Sequence, residues 1–291
     1  MSKPAYIVVT PVRNEREHFA RTIASMVSQT MRPQCWVIVD DGSQDGTDAI
    51  ADCAAQSHSW IRVVHRPDRG ARKQGGGVIE AFYDGLQLVE HEPWDFLIKL
   101  DGDLSFGGDY FERCFARFAA DDRLGIGGGT ICCCTNGAIL EESPGDPAFH
   151  VRGATKIYRR AVWDALGGVL CDAGWDTFDE VKANMLGWRT YSFKELPILQ
   201  LKATGSADGA WRNWVKNGRA NYMVGYHPLF MLLKCVRRFF RKPLILASFG
   251  LGAGFLGGYF RRVPRVNDPQ VIQYLRRQQM NRLRRRKSIW V

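Results

Sequence analysis

The chain has 291 residues, 45% of them apolar and 24% charged, with 12 prolines, which excludes disordered, collagen-like and disulfide-scaffold classes. Its length suits one large domain with an appendage, or two modest ones. The net charge of +10 is unevenly placed: residues 1–208 carry 22 Lys+Arg against 29 Asp+Glu, and residues 209–291 carry 18 against a single acid, Asp268. A mildly acidic body joined to a strongly basic tail points to a polyanion: nucleic acid, an anionic membrane surface or a phosphorylated substrate.

Residues 6–10 form a short β-branched run, and Arg13, Glu15, Arg16 and Glu17 follow too soon for a secretory leader. The eight cysteines are therefore expected as reduced thiols in a cytosolic compartment. Phe19, Ile23, Met26 and Val27 then fall on one helical face. A second strand over 36–39 ends at Asp40-Asp41-Gly42-Ser43, before a helix over 47–56. Residues 60–65 read as a third strand, 78–89 as a helix and 96–100 as a fourth strand. Repeated β-α-β predicts an α/β fold, a mostly parallel sheet flanked by helices on both faces. Ligands of such sheets bind beyond the carboxyl ends of the strands, which directs attention to residues 10–15, 40–43 and 101–103. Cys132, Cys133 and Cys134 alternate faces of a strand and read as packing rather than as a zinc site.

From about residue 205 the character changes, with Trp211, Trp214, Tyr222 and Tyr226 interleaved with Arg212, Lys216 and Arg219. Over 229–242, Lys234, Arg237, Arg238 and Arg241 share one helical side, and Leu229, Leu232, Leu233, Val236 and Phe240 occupy the other. That is the pattern of a basic amphipathic helix lying in a membrane interface. Residues 243–260 carry no charge but include five glycines, and at about 1.5 Å per residue they are marginal for a bilayer core of about 30 Å. The expectation is a re-entrant or interface-lying hairpin. Gly252, Gly254 and Gly257 spell a dinucleotide fingerprint, but Pro264 and the missing second strand speak against it. Arg282 to Lys287 form a basic patch without a nucleic-acid motif, so nucleic acid is not the expected partner.

Asp101-Gly102-Asp103 ends the fourth strand, and hard carboxylate oxygens there suit Mg²⁺ or Mn²⁺. Asp40-Asp41 lies at the same edge. With these residues in place, the chain resembles the nucleotide-sugar glycosyltransferases of family 2, which have the GT-A fold. The likeness rests on Thr10-Pro11-Val12-Arg13-Asn14-Glu15, with Arg13 where tyrosine is commoner, and on Asp40-Asp41-Gly42-Ser43 followed by Asp45-Gly46-Thr47. It continues through Asp101-Gly102-Asp103 to Gly153-Ala154-Thr155, Tyr158-Arg159-Arg160 and Gly167-Gly168.

The resemblance implies a nucleotide-binding set of Pro11, Arg13, Glu15, Asp40, Asp41, Arg72 and Asp101, with Asp103 holding the metal. It also implies a general base on the acceptor side. Asp172, Asp176, Asp179 and Glu180 are the candidates, the last three sharing one face of a helix. The family usually shows Glu-Asp, whereas this chain has Asp179-Glu180; Asp179 is favoured, with Glu180 as the alternative. The Gln-x-x-Arg-Trp motif of processive relatives is absent.

The expected protein is thus a metal-dependent inverting glycosyltransferase, peripheral or monotopic on the cytoplasmic side of a membrane. It would move sugar from a nucleotide-sugar donor to an acceptor hydroxyl or a membrane-borne polyprenyl phosphate. Residues 1–208 would be catalytic, and residues 209–291 a membrane-associating extension on an anionic surface. A non-catalytic adaptor on the same fold and a retaining transferase are the alternatives.

Overall fold

The computed structural model describes residues 3–70, 76–135, 137–202, 209–239 and 245–290. Four strands, β1 (Tyr6–Val12), β2 (Cys35–Asp40), β3 (Ile61–His65) and β4 (Phe96–Leu100), pair in parallel in the order β3-β2-β1-β4. The crossovers are α1 (Arg16–Val27), α2 (Thr47–Ser57) and α3 (Gly77–Gln87). β1 and β2 are buried along their whole length, which is why they read as continuous apolar runs. Their side chains alternate between two cores. Tyr6, Val8, Trp36 and Ile38 meet Phe19 and Met26 of α1 on one face. Ile7, Val9, Val37 and Val39 meet Ala81, Phe82 and Leu86 of α3 on the other.

Past β4 the pairing becomes mixed. The chain continues through β5 (Leu104–Ser105), α4 (Tyr110–Ala120), β6 (Leu124–Thr135), β7 (Ala138–Glu141) and β8 (Thr155–Arg159). It then forms α5 (Arg160–Leu166), α6 (Trp175–Met185) and β9 (Arg189–Gln200). β8 runs antiparallel to both β4 and β6, β9 lies parallel to β6, and β5 pairs antiparallel with β9. No crossover helix separates β6 from β8, and strands joined without one run antiparallel. Cys132, Cys133 and Cys134 lie in β6 opposite Glu141, Leu140 and Ile139, with Cys132 buried and Cys134 exposed.

The tail forms α7 (Ala210–Met223), α8 (Pro228–Phe239), α9 (Leu246–Phe260) and α10 (Pro269–Leu283). All four share one apolar cluster with Phe178 and Val181 of α6, through Tyr222, Met231, Leu251, Phe255, Val271 and Leu275 among others. The glycines of α9 have a packing reason. A Cβ on Gly254 would lie 2.0 Å from the Val215 carbonyl oxygen, and one on Gly218 would lie 2.1 Å from that of Leu251. α7 and α9 therefore touch backbone to backbone. In place of the expected re-entrant or interface-lying hairpin, α9 is one helix seated along α7, with Ala247, Leu251 and Phe255 buried. Among the described residues no helix is long and apolar enough to cross a membrane.

α8 has the two sides the sequence predicts, and the apolar side is the exposed one: Leu229, Leu232, Leu233 and Val236 all face outward. Lys234 and Arg238 turn inward, over the rings of Tyr226 at 5.2 Å and Trp214 at 4.4 Å. Phe240, Arg241 and Lys242 lie outside the described residues. The chain end folds back, with Trp290 packed edge-on against Phe149, Tyr226 and Phe230.

Candidate active site

The loops leaving β1 and β2 are tied to each other at the carboxyl edge of the sheet. The Asn14 amide donates to Ser43 Oγ at 3.0 Å, and the Gln44 amide donates to Asn14 Oδ1 at 2.9 Å. The Glu15 amide donates to Thr47 Oγ1 at 2.8 Å. Pro11 is buried within β1 opposite Val39. Asp40 is buried too, and its Oδ1 accepts from the Ser43 amide at 3.0 Å, the bond that closes this turn.

Asp41 offers both oxygens to arginines, at 2.5 Å to Arg66 and 2.6 Å to Arg69. Arg13 donates to the Asp41 carbonyl at 2.7 Å and pairs with Asp68 at 2.7 Å, so one guanidinium joins the ends of three strands. The Gly70 amide, the Arg13 guanidinium and the Gln44 side-chain amide all donate to Asp68 and hold its carboxyl below its ordinary value. Arg66, Asp68 and Arg69 were missed by the sequence reading, although they directly follow β3 and the strand-end rule covers them equally. Arg72 lies outside the described residues.

Asp101 is paired with the buried ammonium of Lys99, which also donates to the Gly153 carbonyl at 2.7 Å. A Cβ on Gly102 would lie 2.5 Å from a Val12 methyl, so this tight turn presses on β1. Asp103 is buried, and Gln200 Nε2 donates to it at 3.1 Å. Burial, reinforced by the charges of Asp101 and Glu15, pushes the Asp103 carboxyl up to about 7. Glu15 Oε1 pairs with Lys202 at 2.8 Å, while its buried Oε2 has no hydrogen-bond partner among the described residues. Crowded carboxylates with an orphaned oxygen fit a hard divalent cation of the Mg²⁺ or Mn²⁺ kind. Among the described residues no group of three or more His, Cys, Asp or Glu forms a protein-only cage, so further ligands would come from water and substrate.

On α6 the two expected base candidates, Asp179 and Glu180, are both buried and paired. Asp179 is only 2% exposed and Glu180 is 0% exposed. Asp179 accepts from Lys156 at 2.8 and 2.9 Å and from the Tyr158 hydroxyl at 2.6 Å. Glu180 accepts from the Val151 amide at 2.7 Å, and lies 2.9 Å from both Lys156 and His150 Nδ1. Burial pushes the Asp179 carboxyl up to about 6, against the pull of Lys156. Burial alone would lower His150, but the charge and hydrogen bond of Glu180 raise it. Every oxygen of these two acids is engaged. They clamp α6 to β8 and to the 150–151 segment.

Asp176, one turn earlier, is half-buried in the first turn of α6. Its carboxylate makes no hydrogen bond or ion pair among the described residues, although Lys156 takes its backbone oxygen at 2.5 Å. A Cβ on Gly153 would lie 3.4 Å from Asp176 Cβ, and Gly153 is the residue whose carbonyl binds Lys99. The uncommitted carboxylate therefore neighbours the Lys99–Asp101 pair. Trp175 lies between them and the clamp, its ring 5.5 Å from Lys99 Nζ and 5.3 Å from Lys156 Nζ.

Residues 7–160 match the family model described as Glycosyl transferase family 2. Polyprenol monophosphomannose synthase of Mycolicibacterium smegmatis is 29% identical over 131 residues, 43% of this chain and 47% of its own length. Glycosyltransferase AglE of Haloferax volcanii is 31% identical over 101 residues, 31% of this chain and 33% of its own length. The chain thus spans less than half the length of these curated relatives. Among solved structures, mannosyltransferase PcManGT from Pyrobaculum calidifontis, in complex with GDP-Man and Mn²⁺, is similar with a TM-score of 0.55 and 16% identity, over 99% of this chain and 77% of that one. TarS of S. aureus gives 0.54 and 16%, over 90% of this chain and 44% of its own. At such identity these structures speak for the fold, which is GT-A.

Proposed function

The chain belongs to glycosyl transferase family 2, and from that premise we propose that it transfers a sugar, with inversion, from a nucleoside-diphosphate sugar to a membrane-borne polyprenyl phosphate on the cytoplasmic side. The observation that carries this reading is the approach of a free carboxylate, Asp176, to the Lys99–Asp101 pair at the strand edge. Donor-side groups and an acceptor-side acid then flank one space. The mannose relatives make GDP-mannose the first donor to test, and the polyprenol relative makes a lipid phosphate the first acceptor.

In this reading the laced turns after β1, β2 and β3 hold the nucleoside. Asp40 closes the turn, and Arg13 and Asp41 brace it against Arg66 and Arg69. Lys99 orients Asp101 toward the ribose. Asp103, with Glu15 close by, would hold Mg²⁺ or Mn²⁺, which when bound supplies Lewis-acid stabilisation of the departing diphosphate. Asp176 receives the acceptor's proton on the face opposite that departure, and the Asp179–Glu180–Lys156 clamp keeps it there.

The test is direct. Full-length protein is incubated with GDP-mannose, then with other nucleotide sugars, plus polyprenyl phosphate and Mg²⁺ or Mn²⁺, and nucleoside diphosphate and glycolipid are measured. Release that depends on acceptor and on cation, with a product anomer opposite to the donor's, is expected. Silence across donors and acceptors would sink the reading, and a product of retained configuration would overturn inversion.

A further inference from the structure

α8 is built inside out for a helix bordering water. Two of its cations, Lys234 and Arg238, turn inward against the rings of Tyr226 and Trp214, while Leu229, Leu232, Leu233 and Val236 face outward. These outward residues recur at i, i+3, i+4 and i+7, so they form one stripe along the helix. α9 repeats the arrangement with Leu246, Phe249, Leu256 and Phe260, while its opposite side meets α7. Phe260 is 85% exposed, Phe249 61% and Leu232 59%. The two helices touch through Ser248, whose hydroxyl donates to the Cys235 carbonyl at 2.8 Å. A contiguous apolar surface of this kind marks an interaction face rather than chance exposure.

Charge identifies the occupant. Arg237, Arg261 and Arg262, at the ends of these helices, are exposed, as are Arg212 and Arg219 on α7. The only acid in residues 209–291 is Asp268, and its carboxylate is occupied in capping α10 through the Val271 amide at 3.1 Å. An apolar face bordered by cations and free of available acids complements a layer of acyl chains beneath anionic headgroups. A second copy of this chain would bring like charges together around the same face.

We propose that the outer stripes of α8 and α9 form a monotopic docking surface, with Leu232, Val236, Phe249 and Phe260 inserted into an anionic bilayer. Arg237, Arg261 and Arg262 sit at its phosphates. The proposal names the surface by which the transferase reaches a lipid acceptor, and it rests on that reading for its purpose but not for its physics. The shared cluster with Phe178 and Val181 ties the docked helices to α6, so Asp176 rides at a fixed height above the membrane. α8 thereby turns its apolar stripe and Arg237 toward lipid, and Lys234 and Arg238 inward, within a single element.

Flotation of the full-length protein separates the possibilities. Protein should float with vesicles of 70% phosphatidylcholine and 30% phosphatidylglycerol, and part of that binding should survive 1 M salt. Pure phosphatidylcholine should bind at least several-fold less. Leu232→Ser with Phe249→Ser should abolish the salt-resistant fraction, and Arg237→Gln with Arg262→Gln should remove the preference for anionic vesicles. Both pairs are exposed, so circular dichroism and thermal melting should be unchanged. Two results overturn the proposal: wild-type protein that ignores anionic vesicles, or a detergent-free dimer that Leu232→Ser with Phe249→Ser converts to monomer. Nucleotide-sugar turnover measured on a water-soluble acceptor analogue reports on the transferase reading separately, since vesicle binding persists if turnover is absent.

Discussion

Three acids of α6 share a helical face, yet only Asp176 keeps a carboxylate without a hydrogen bond or ion pair among the described residues. The i, i+3, i+4 spacing of Asp176, Asp179 and Glu180 says that they lie together, not how deep each lies. Position along the helix decides: Asp176 stands in the first turn, while Asp179 and Glu180 reach the β8 side and Lys156. Asp176→Asn should therefore lower transfer by about 10²–10⁴-fold with donor affinity nearly unchanged, as measured by steady-state kinetics and nucleotide titration. Asp179→Asn acts through stability instead. Asp179 and His150 both hold protons more tightly folded than unfolded. Their stabilising contribution is complete below the unfolded values of 3.8 and 6.5, and it is lost as pH rises through the folded ones. Urea midpoints should fall as pH rises from about 4 through about 6 and on through the loss of the His150 proton, by an amount worth of order 1–3 kcal/mol. Asp179→Asn should flatten the lower part of that fall, up to about pH 6. A midpoint that rises with pH across this window would refute the account.

At the scale of elements, the parallel half was legible because strands buried on both faces write unbroken apolar runs, as 36–39 does. The Asp-Gly-Asp turn was legible because it follows such a run. The mixed half was not, since antiparallel pairing of β8 with β4 depends on a return path with no periodic signature. Nor was the α7–α9 contact. Glycine in a helix reads as weakness from propensity alone, yet here it permits backbone contact. The two kinds of glycine can be told apart by experiment. Gly254→Ala places a Cβ 2.0 Å from a carbonyl oxygen, so the helices must separate, at a cost of about 1–3 kcal/mol. At about 2–4 °C per kcal/mol in a chain near this size, thermal melting should drop by roughly 3–10 °C. Gly257→Ala has no neighbour within 4 Å and should leave the melting temperature unchanged or slightly higher, because alanine is the better helix former. Equal losses from both would mean that propensity, not packing, sets the effect.

Across the whole molecule, charge is sorted by task. The basic tail carries cations with almost no acids, and the acidic body concentrates carboxylates at the strand edge, where Asp103 is buried beside Asp101 and Glu15. Such crowding costs stability in the protein alone and would be eased by a bound cation, so folding and ligand binding pull this residue in opposite directions. Asp103→Asn should consequently melt higher than wild type in EDTA, because a neutral amide removes both the buried charge and its repulsion. The ranking should reverse with ligand. At a concentration about 100-fold above its dissociation constant, Mn²⁺ with nucleoside diphosphate should stabilise wild type by about 2.7 kcal/mol, a rise of roughly 5–10 °C. Asp103→Asn should show little of that rise, and EDTA should erase it from wild type. A variant that melts lower than wild type in EDTA, yet keeps the full ligand-induced rise, would place the cation elsewhere and make Asp103 a structural acid of the turn.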